Sequence, residues 1–322
     1  MLLISKVHIS TIARLGALGA ALFGGTAVGG FQSREAASPP LADAHVHLSL
    51  GSVDALERLA GAGVTVVRDC GGDMEQLTRW RDEIAAGTRR GPKIFLAGPL
   101  LDGPKPGATF RLTIRTPEDA VRAVDSLAGR VDFLKTHNAI PPEAFFALVR
   151  RARERGLKVA AHLPVGVPAW TAAEAGVGSI EHAAESLVTS PIYAGVAKDG
   201  NAAMDWWRSP DGDAAIRRLA ASRVTVVPTL VRYESMINTP ATAEARSGRA
   251  ELMPKLIDLV GRLHRAGVPL LAGSDLDGIP GGRAPETGPA REVQLLEAAG
   301  LSAAEAREAA SPAALERWFR ER

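Results

Sequence analysis

ADAHVH, residues 42–47, is the stretch on which the fold turns. Successive side chains of a strand point to opposite faces, so Asp43, His45 and His47 share one face and Ala42, Ala44 and Val46 the other. Such a strand carries polar groups to its C-terminal end. Three more apolar runs close in the same way: LKVAAH at 157–162 on His162, VGSIEH at 177–182 on His182, and VPLLAGSD at 268–275 on Asp275. VTVVRD at 64–69, KIFLAG at 93–98, VDFLKT at 131–136 and VTVVPT at 224–229 bring the number of predicted strands to eight. Amphipathic segments lie between them at 53–61, 74–86, 117–128, 142–155, 168–175, 213–222 and 250–266. Several stop at glycine, as in ERGLK and RAGVP, a residue that adopts the left-handed turn ending a helix.

Strand and helix in alternation specify a parallel sheet with crossover helices. Periodicity alone does not separate a doubly wound open sheet from a closed barrel, but the polar residues do. In a (β/α)₈ TIM barrel the C-terminal ends of all strands meet at one mouth, and active groups come from several of them. The expected fold is therefore an α/β (β/α)₈ barrel over 41–322. Long connections at 99–116, 183–212 and 276–288 leave from the same mouth, where substrate loops belong.

Composition agrees with a soluble globular chain: of 322 residues, 46% are hydrophobic and 23% charged, enough to bury a large core. A net charge of +2 gives no strong pull toward nucleic acid or an anionic membrane. The one cysteine, Cys70, excludes an intramolecular disulfide and a thiolate metal cluster, so any metal is held by nitrogen and oxygen. The N-terminus differs in kind. Lys6 and Arg14 precede the apolar, glycine-rich run LGALGAALFGGTAVGG at 15–30, which reads as an export signal over 1–30 followed by a polar linker at 31–40. The run falls short of the roughly 20 residues that a spanning helix prefers. Cleavage, an exported mature protein and no stable membrane insertion are expected.

Two imidazoles on one face of a strand can chelate one ion, and the other histidines raise that reading: four of the seven sit at predicted strand ends, whereas His8 and His264 do not. Lys135 is the unusual member. It lies in VDFLKTH, where its side chain would enter the mouth, and an ammonium beside a dication is repelled. Burial and positive neighbours lower a lysine pKa, and the neutral amine can add carbon dioxide to become a carbamate with two hard oxygens able to bridge two metals. A lysine paired with Asp132 or with a substrate anion is the plainer alternative. Nitrogen and oxygen donors of this mix suit Zn²⁺ best, with Mn²⁺, Fe²⁺ or Co²⁺ as substitutes.

DAHVH, GVTVVRDCGG, VDFLKTH, KVAAHLP, GSIEHAAES, VVPTLV and LLAGSDL, in this order and spacing, resemble the metal-dependent amidohydrolase superfamily, and within it the imidazolonepropionase and Xaa-Pro dipeptidase branch. The resemblance runs from 42 to 312 and includes REVQLLEAAGLSAAEAREAASPAAL near the end. It implies that His45 and His47 hold a buried metal ion, that His162 and His182 hold a more exposed one, and that carbamylated Lys135 bridges them. Asp275 would bind metal and water together, take a proton from the attacking hydroxide and pass it to the leaving nitrogen. The substrate implied is a dipeptide or cyclic amide. The β-sandwich that flanks the barrel in many relatives has no counterpart strands before or after it here, so a bare barrel that could form a homo-oligomer is expected.

Other roles follow from position. Arg68 and Asp69, at the end of the second strand, are candidates to orient a ligand imidazole or to form a structural ion pair. Tyr233, after the seventh strand, could donate to the scissile carbonyl, or merely pack. Arg111 and Arg283 sit in mouth loops and could fork a substrate carboxylate, although most loop arginines are simply solvated. His137 follows Lys135 by two residues on the same face and could touch substrate, while Trp206 and Trp207 could wall the pocket or anchor their loop. Lactone or other ester hydrolysis on the same centre, a mononuclear deaminase, and a noncatalytic binding protein that keeps the barrel are the competing functions.

Overall fold

The computed structural model describes residues 39–321, apart from 53, 105–109, 238, 240–241 and 277–283. The proposed export signal and nearly all of the linker lie outside the described residues. Among the described residues, nine short strands occur: β1 (Leu41–Val46), β2 (Val64–Asp69), β3 (Lys93–Leu96), β4 (Leu100–Asp102), β5 (Arg111–Thr113), β6 (Leu134–Thr136), β7 (Val159–Ala161), β8 (Ser179–Glu181) and β9 (Thr225–Val227). All pair in parallel, in one sheet of order β1-β2-β3 and a second of order β5-β4-β6-β7-β8-β9.

This corrects the expected single ring of eight strands in two ways. The eighth predicted strand, 268–275, forms only an isolated bridge between Leu270 and Val226. Its amide groups are divided between two neighbours: Leu271 N donates to Val226 O (3.1 Å), whereas Ala44 N donates to Ala272 O (2.8 Å) and Asp275 N to His45 O (2.8 Å). The connection 99–116, read as a loop, contains β4 and β5. Between the sheets, Asp132 N donates to Leu96 O (3.0 Å). The other long connection, 183–212, holds helical segments at Ala183–Leu187, Thr189–Tyr193 and Gly200–Trp207. They are too short for periodicity to reveal.

Helix ends obey local chemistry. Asp73, Thr116, Ser209 and Thr242 each accept from a backbone N–H of the first turn that follows them. Gly156 (φ 71°) and Gly267 (φ 84°) take the left-handed turn that their sequence contexts predict. No helix among the described residues is long and apolar enough to cross a membrane.

The core has two parts. The larger lies between strands and surrounding helices, and Trp207 belongs to it, fully buried with Nε1 donating to Leu187 O (2.9 Å). The smaller joins Ala44 of β1, Val66 of β2, Ala160 of β7 and Val227 of β9 to Phe133, Leu271, Leu315 and Trp318. It therefore draws on both sheets at once. Trp318 comes from the last helix, Pro312–Arg320, and its Nε1 donates to Gly178 O (3.1 Å), just ahead of β8. This helix thus sits at the strands' N-terminal ends, opposite the histidines.

Gly273 marks where the 268–275 segment presses on the sheets: a Cβ there would lie 2.6 Å from Val227 Cγ1 and 2.8 Å from His45 Cβ. Gly273→Ala should lower stability by about 1–3 kcal/mol through overpacking, read as a drop in urea midpoint at unchanged slope. A midpoint within error of the parent would mean that the contact is not tight.

Candidate metal centre

The C-terminal ends of β1, β6, β7 and β8 bring their imidazoles into one cluster, with Asp275 of the 268–275 segment beside it. Ring centroids are 5.3 Å apart for His45 and His47, 4.6 Å for His45 and His182, 4.8 Å for His162 and His182, and 4.5 Å for His137 and His162. The Asp275 carboxylate faces three of these rings. Its Oδ1 lies 3.6 Å from His47 Nε2 and 3.9 Å from His45 Nε2, and its Oδ2 lies 3.6 Å from His182 Nδ1. One ligand atom from each of His45, His182 and Asp275 falls within 4.8 Å of the others.

Backbone strain aims these groups. His182 (φ 64°), Thr229 (φ 49°) and Asp275 (φ 47°) all occupy the left-handed region, which costs a non-glycine residue roughly 1–2 kcal/mol. Thr229, β-branched and so the most strained, uses its Oγ1 to hold His182 Nδ1 at 3.0 Å. Asp43 secures the Asp275 segment: its Oδ1 accepts from Ser274 N (2.8 Å) and His45 N (3.0 Å), and its Oδ2 accepts from the Ser274 hydroxyl.

Under the rings is a buried polar layer. Glu181 Oε2 meets His45 Nδ1 at 2.7 Å, and Oε1 accepts from Arg68 Nη2 (2.7 Å) and Ser179 Oγ (2.5 Å). Arg68 also donates from Nε to Ala44 O (2.6 Å), and its guanidinium lies 4.7 Å from the Trp318 ring. Burial alone would raise the Glu181 carboxyl, but Arg68 and His45 outweigh it and hold it at about 2. His47 is held differently, with Nδ1 at 2.7 Å from Gly71 O. Asp69, a candidate to orient an imidazole or to form a structural ion pair, accepts from Gly71 N (3.0 Å) and Leu48 N (2.8 Å), on either side of the His47 contact.

Lys135 is 1% exposed, and burial lowers its pKa. Its Nζ donates to Thr136 O (3.1 Å), whereas Asp132, the partner considered for it, accepts from Leu96 N (2.8 Å). Burial likewise brings His45 and His47 down to about 4 and His162 and His182 well below 6.5, so the rings are neutral near pH 7 and offer lone pairs. Three buried ring nitrogens, His45 Nε2, His137 Nδ1 and His162 Nδ1, have no hydrogen-bond partner. Neutral imidazoles with unused nitrogens around a carboxylate fit a divalent ion of the Zn²⁺ type.

Of the remaining predicted residues, Arg111 is paired with the buried Asp102, which also lies 3.3 Å from His137 Nδ1. Arg111 is therefore occupied structurally. Tyr233 is half-buried and packs against the core. Arg283 lies outside the described residues. Trp206 stacks near Trp170, 5.1 Å between centroids, as a loop anchor. Cys70 is buried, and burial raises its thiol.

Sequence reasoning missed Glu181, Arg232 and Glu292. Arg232 Nε lies 2.6 Å from Asp275 Oδ2, and its Nη1 pairs with Glu185. Glu292 accepts from Leu230 N (3.0 Å) and Val231 N (2.7 Å), at the start of the helix Leu230–Ile237 that carries Arg232. A charged residue inside the apolar run VGSIEH was the available signal for Glu181. Arg232 and Glu292 have none, because their partners are distant in sequence.

The depressed histidines and the raised Glu292 have opposite linkage. The imidazoles bind protons less readily folded than unfolded, so their stabilisation is lost as pH falls from 6.5 toward 4, by roughly 3 kcal/mol each for His45 and His47. Burial pushes Glu292 up to about 8, so its contribution is complete below 4.5 and is lost as pH rises through 8. Urea unfolding of chelator-treated protein should show a net fall in stability below pH 6.5. The stability difference between the parent chain and Glu292→Gln should shrink as pH rises from 4.5 to 8; a difference independent of pH would refute the buried-acid assignment.

No family model matches the chain, and no curated protein matches it. Solved structures do. Bottromycin amidohydrolase is 23% identical, with 88% of this chain and 67% of that one covered at a TM-score of 0.66. An Xaa-Pro dipeptidase with methionine bound in its active site is 20% identical over 88% and 75% of the two chains, TM-score 0.64. The A. niger ochratoxinase is 18% identical over 87% and 71%, TM-score 0.63. At these identities what is shared is the fold.

Proposed function

We propose that this chain, which has the fold of the metal-dependent amidohydrolases, hydrolyses carbon–nitrogen bonds in small amides or dipeptides at a divalent metal centre. The observation that carries the reading is the meeting of His45, His47 and His182 around Asp275, with a buried, unpartnered nitrogen on His45. The two sheets are read as arcs of one (β/α)₈ barrel. Support comes from the backbone bonds of the 268–275 segment to β1 and β9, from the Asp132–Leu96 bond between sheets, and from the small core cluster common to both.

His45 and His47 would hold one ion, His162 and His182 a second, and Lys135, as a carbamate, would contribute oxygen to both. Carbon dioxide adds to the neutral amine with loss of one proton, a reaction that the burial of Lys135 favours. When bound, a divalent ion supplies Lewis acidity and brings the pKa of water toward neutrality.

Asp275 serves as the proton carrier, accepting a proton from the attacking water and delivering it to the departing nitrogen. Arg232 fixes the orientation of that carboxylate: by engaging Oδ2 it leaves Oδ1 toward His45 and His47. The Tyr233 hydroxyl is assigned to the carbonyl oxygen. His137, beside His162, is the substrate contact best supported among those expected from sequence, since Arg111 is committed to Asp102. Export of the mature protein remains part of the proposal and rests on the sequence of 1–30.

A Zn²⁺-loaded preparation should hydrolyse members of a panel of dipeptides and N-acyl amino acids faster than it opens lactones, and chelator should abolish turnover. Asp275→Asn should keep its melting temperature within a few degrees and lose about 10²–10⁴-fold in kcat. Undiminished turnover by that variant, or uniformly faster lactone opening, sinks the amidase reading. Lys135→Ala should lose metal by elemental analysis and recover part of it when a short carboxylic acid is added.

A further inference from the structure

Glu181 touches neither the mouth nor any group assigned to substrate, yet it is fully buried and saturated with contacts. Its two oxygens face different demands. Oε1 receives Arg68 Nη2 and the Ser179 hydroxyl, and a guanidinium can only donate. Oε2 stands 2.7 Å from His45 Nδ1. An ionised carboxylate accepts only, so the His45 proton must reside on Nδ1 and the lone pair on Nε2, the nitrogen that is buried, unpartnered and turned toward Asp275.

We propose that Glu181 is a positioning residue that locks His45 in the tautomer with a free Nε2 and thereby sets the metal affinity of the centre, while Arg68 holds Glu181 in register. The inference rests on the metal-centre reading above for its consequence, but the tautomer itself does not depend on metal. The arrangement makes the isosteric change severe. In Glu181→Gln the single oxygen must turn to Arg68, which cannot accept, and the NH₂ then faces His45 Nδ1 and donates to it. The imidazole proton moves to Nε2, which closes that nitrogen to a cation.

The test uses the full chain, labelled with ¹⁵N-histidine and stripped of metal, and Zn²⁺ alone as the probe. NMR of the parent should show His45 protonated at Nδ1, and Glu181→Gln should show it protonated at Nε2. Competition with a chromophoric chelator should find Zn²⁺ bound about ten- to a hundredfold more weakly by the variant, and Glu181→Asp should recover part of that loss. Parent protein already protonated at Nε2, or Glu181→Gln with unaltered Zn²⁺ affinity, overturns the proposal. Should Glu181→Gln fail to fold, the paired change Arg68→Met with Glu181→Met removes both buried charges. It should fold with weakened Zn²⁺ binding, and parental affinity in that protein overturns the proposal equally. A parent chain that binds no Zn²⁺ but has the Nδ1 tautomer would count against the metal-centre reading and leave the role of Glu181 in fixing the ring intact.

Discussion

A carboxylate, a guanidinium and an imidazole, all sealed from water, meet beneath the mouth of this protein, and the geometry above them follows from that meeting. Burying Arg68 and Glu181 is expensive, and a buried ion pair is weak evidence for stability, because apolar side chains of the same volume often do as well. What such a pair supplies instead is direction. Arg68 is held by Ala44 O, Ser179 Oγ and Glu181 at once, so it ties β1, β2 and β8 together at one height. An error in the register of any of these strands would leave a charge without its partner, a penalty of several kcal/mol.

Above this layer the strands stop being regular. Parallel strands present alternate side chains, but a site needs neighbouring residues to point inward at chosen angles. The chain obtains them by leaving the strand conformation at His182, Thr229 and Asp275 through left-handed backbone. The strain is carried by the surroundings: Asp43 grips Ser274, and the Asp275 amide is bonded to His45 O. This accounts for the absence of a regular eighth strand. Residues 268–275 serve two neighbours and end in a strained turn, which leaves no continuous ladder.

Much of this organisation is written in local pattern. The β-branched run VTVVRD forms a strand with the expected limits, and the helices at 117–127 and 142–154 fall within a residue of their predicted ends, because apolar period and a proline in the first turn agree there, with Thr116 capping the first of them. The six ligand candidates were recognisable because each is a polar residue at or near the end of an apolar run. What sequence withheld depends on distance along the chain. Arg232 meets Asp275 across the mouth, Glu292 meets a helix start 62 residues before it, and Asp102 meets His137. No periodicity encodes such meetings. Short helices between 183 and 207 were hidden for a different reason, since a single turn or two leaves no apolar period to detect.

Trp318 gives the design an unexpected reach. Its indole lies against the Arg68 guanidinium, which holds Glu181, which holds His45, so a continuous column of contacts runs from the final helix up through the interior to the imidazole cluster. Substituting a smaller residue at this remote position would loosen the footing of an imidazole at the opposite pole of the molecule. The terminal helix is accordingly a foundation stone of the imidazole cluster as much as a lid on hydrophobic surface.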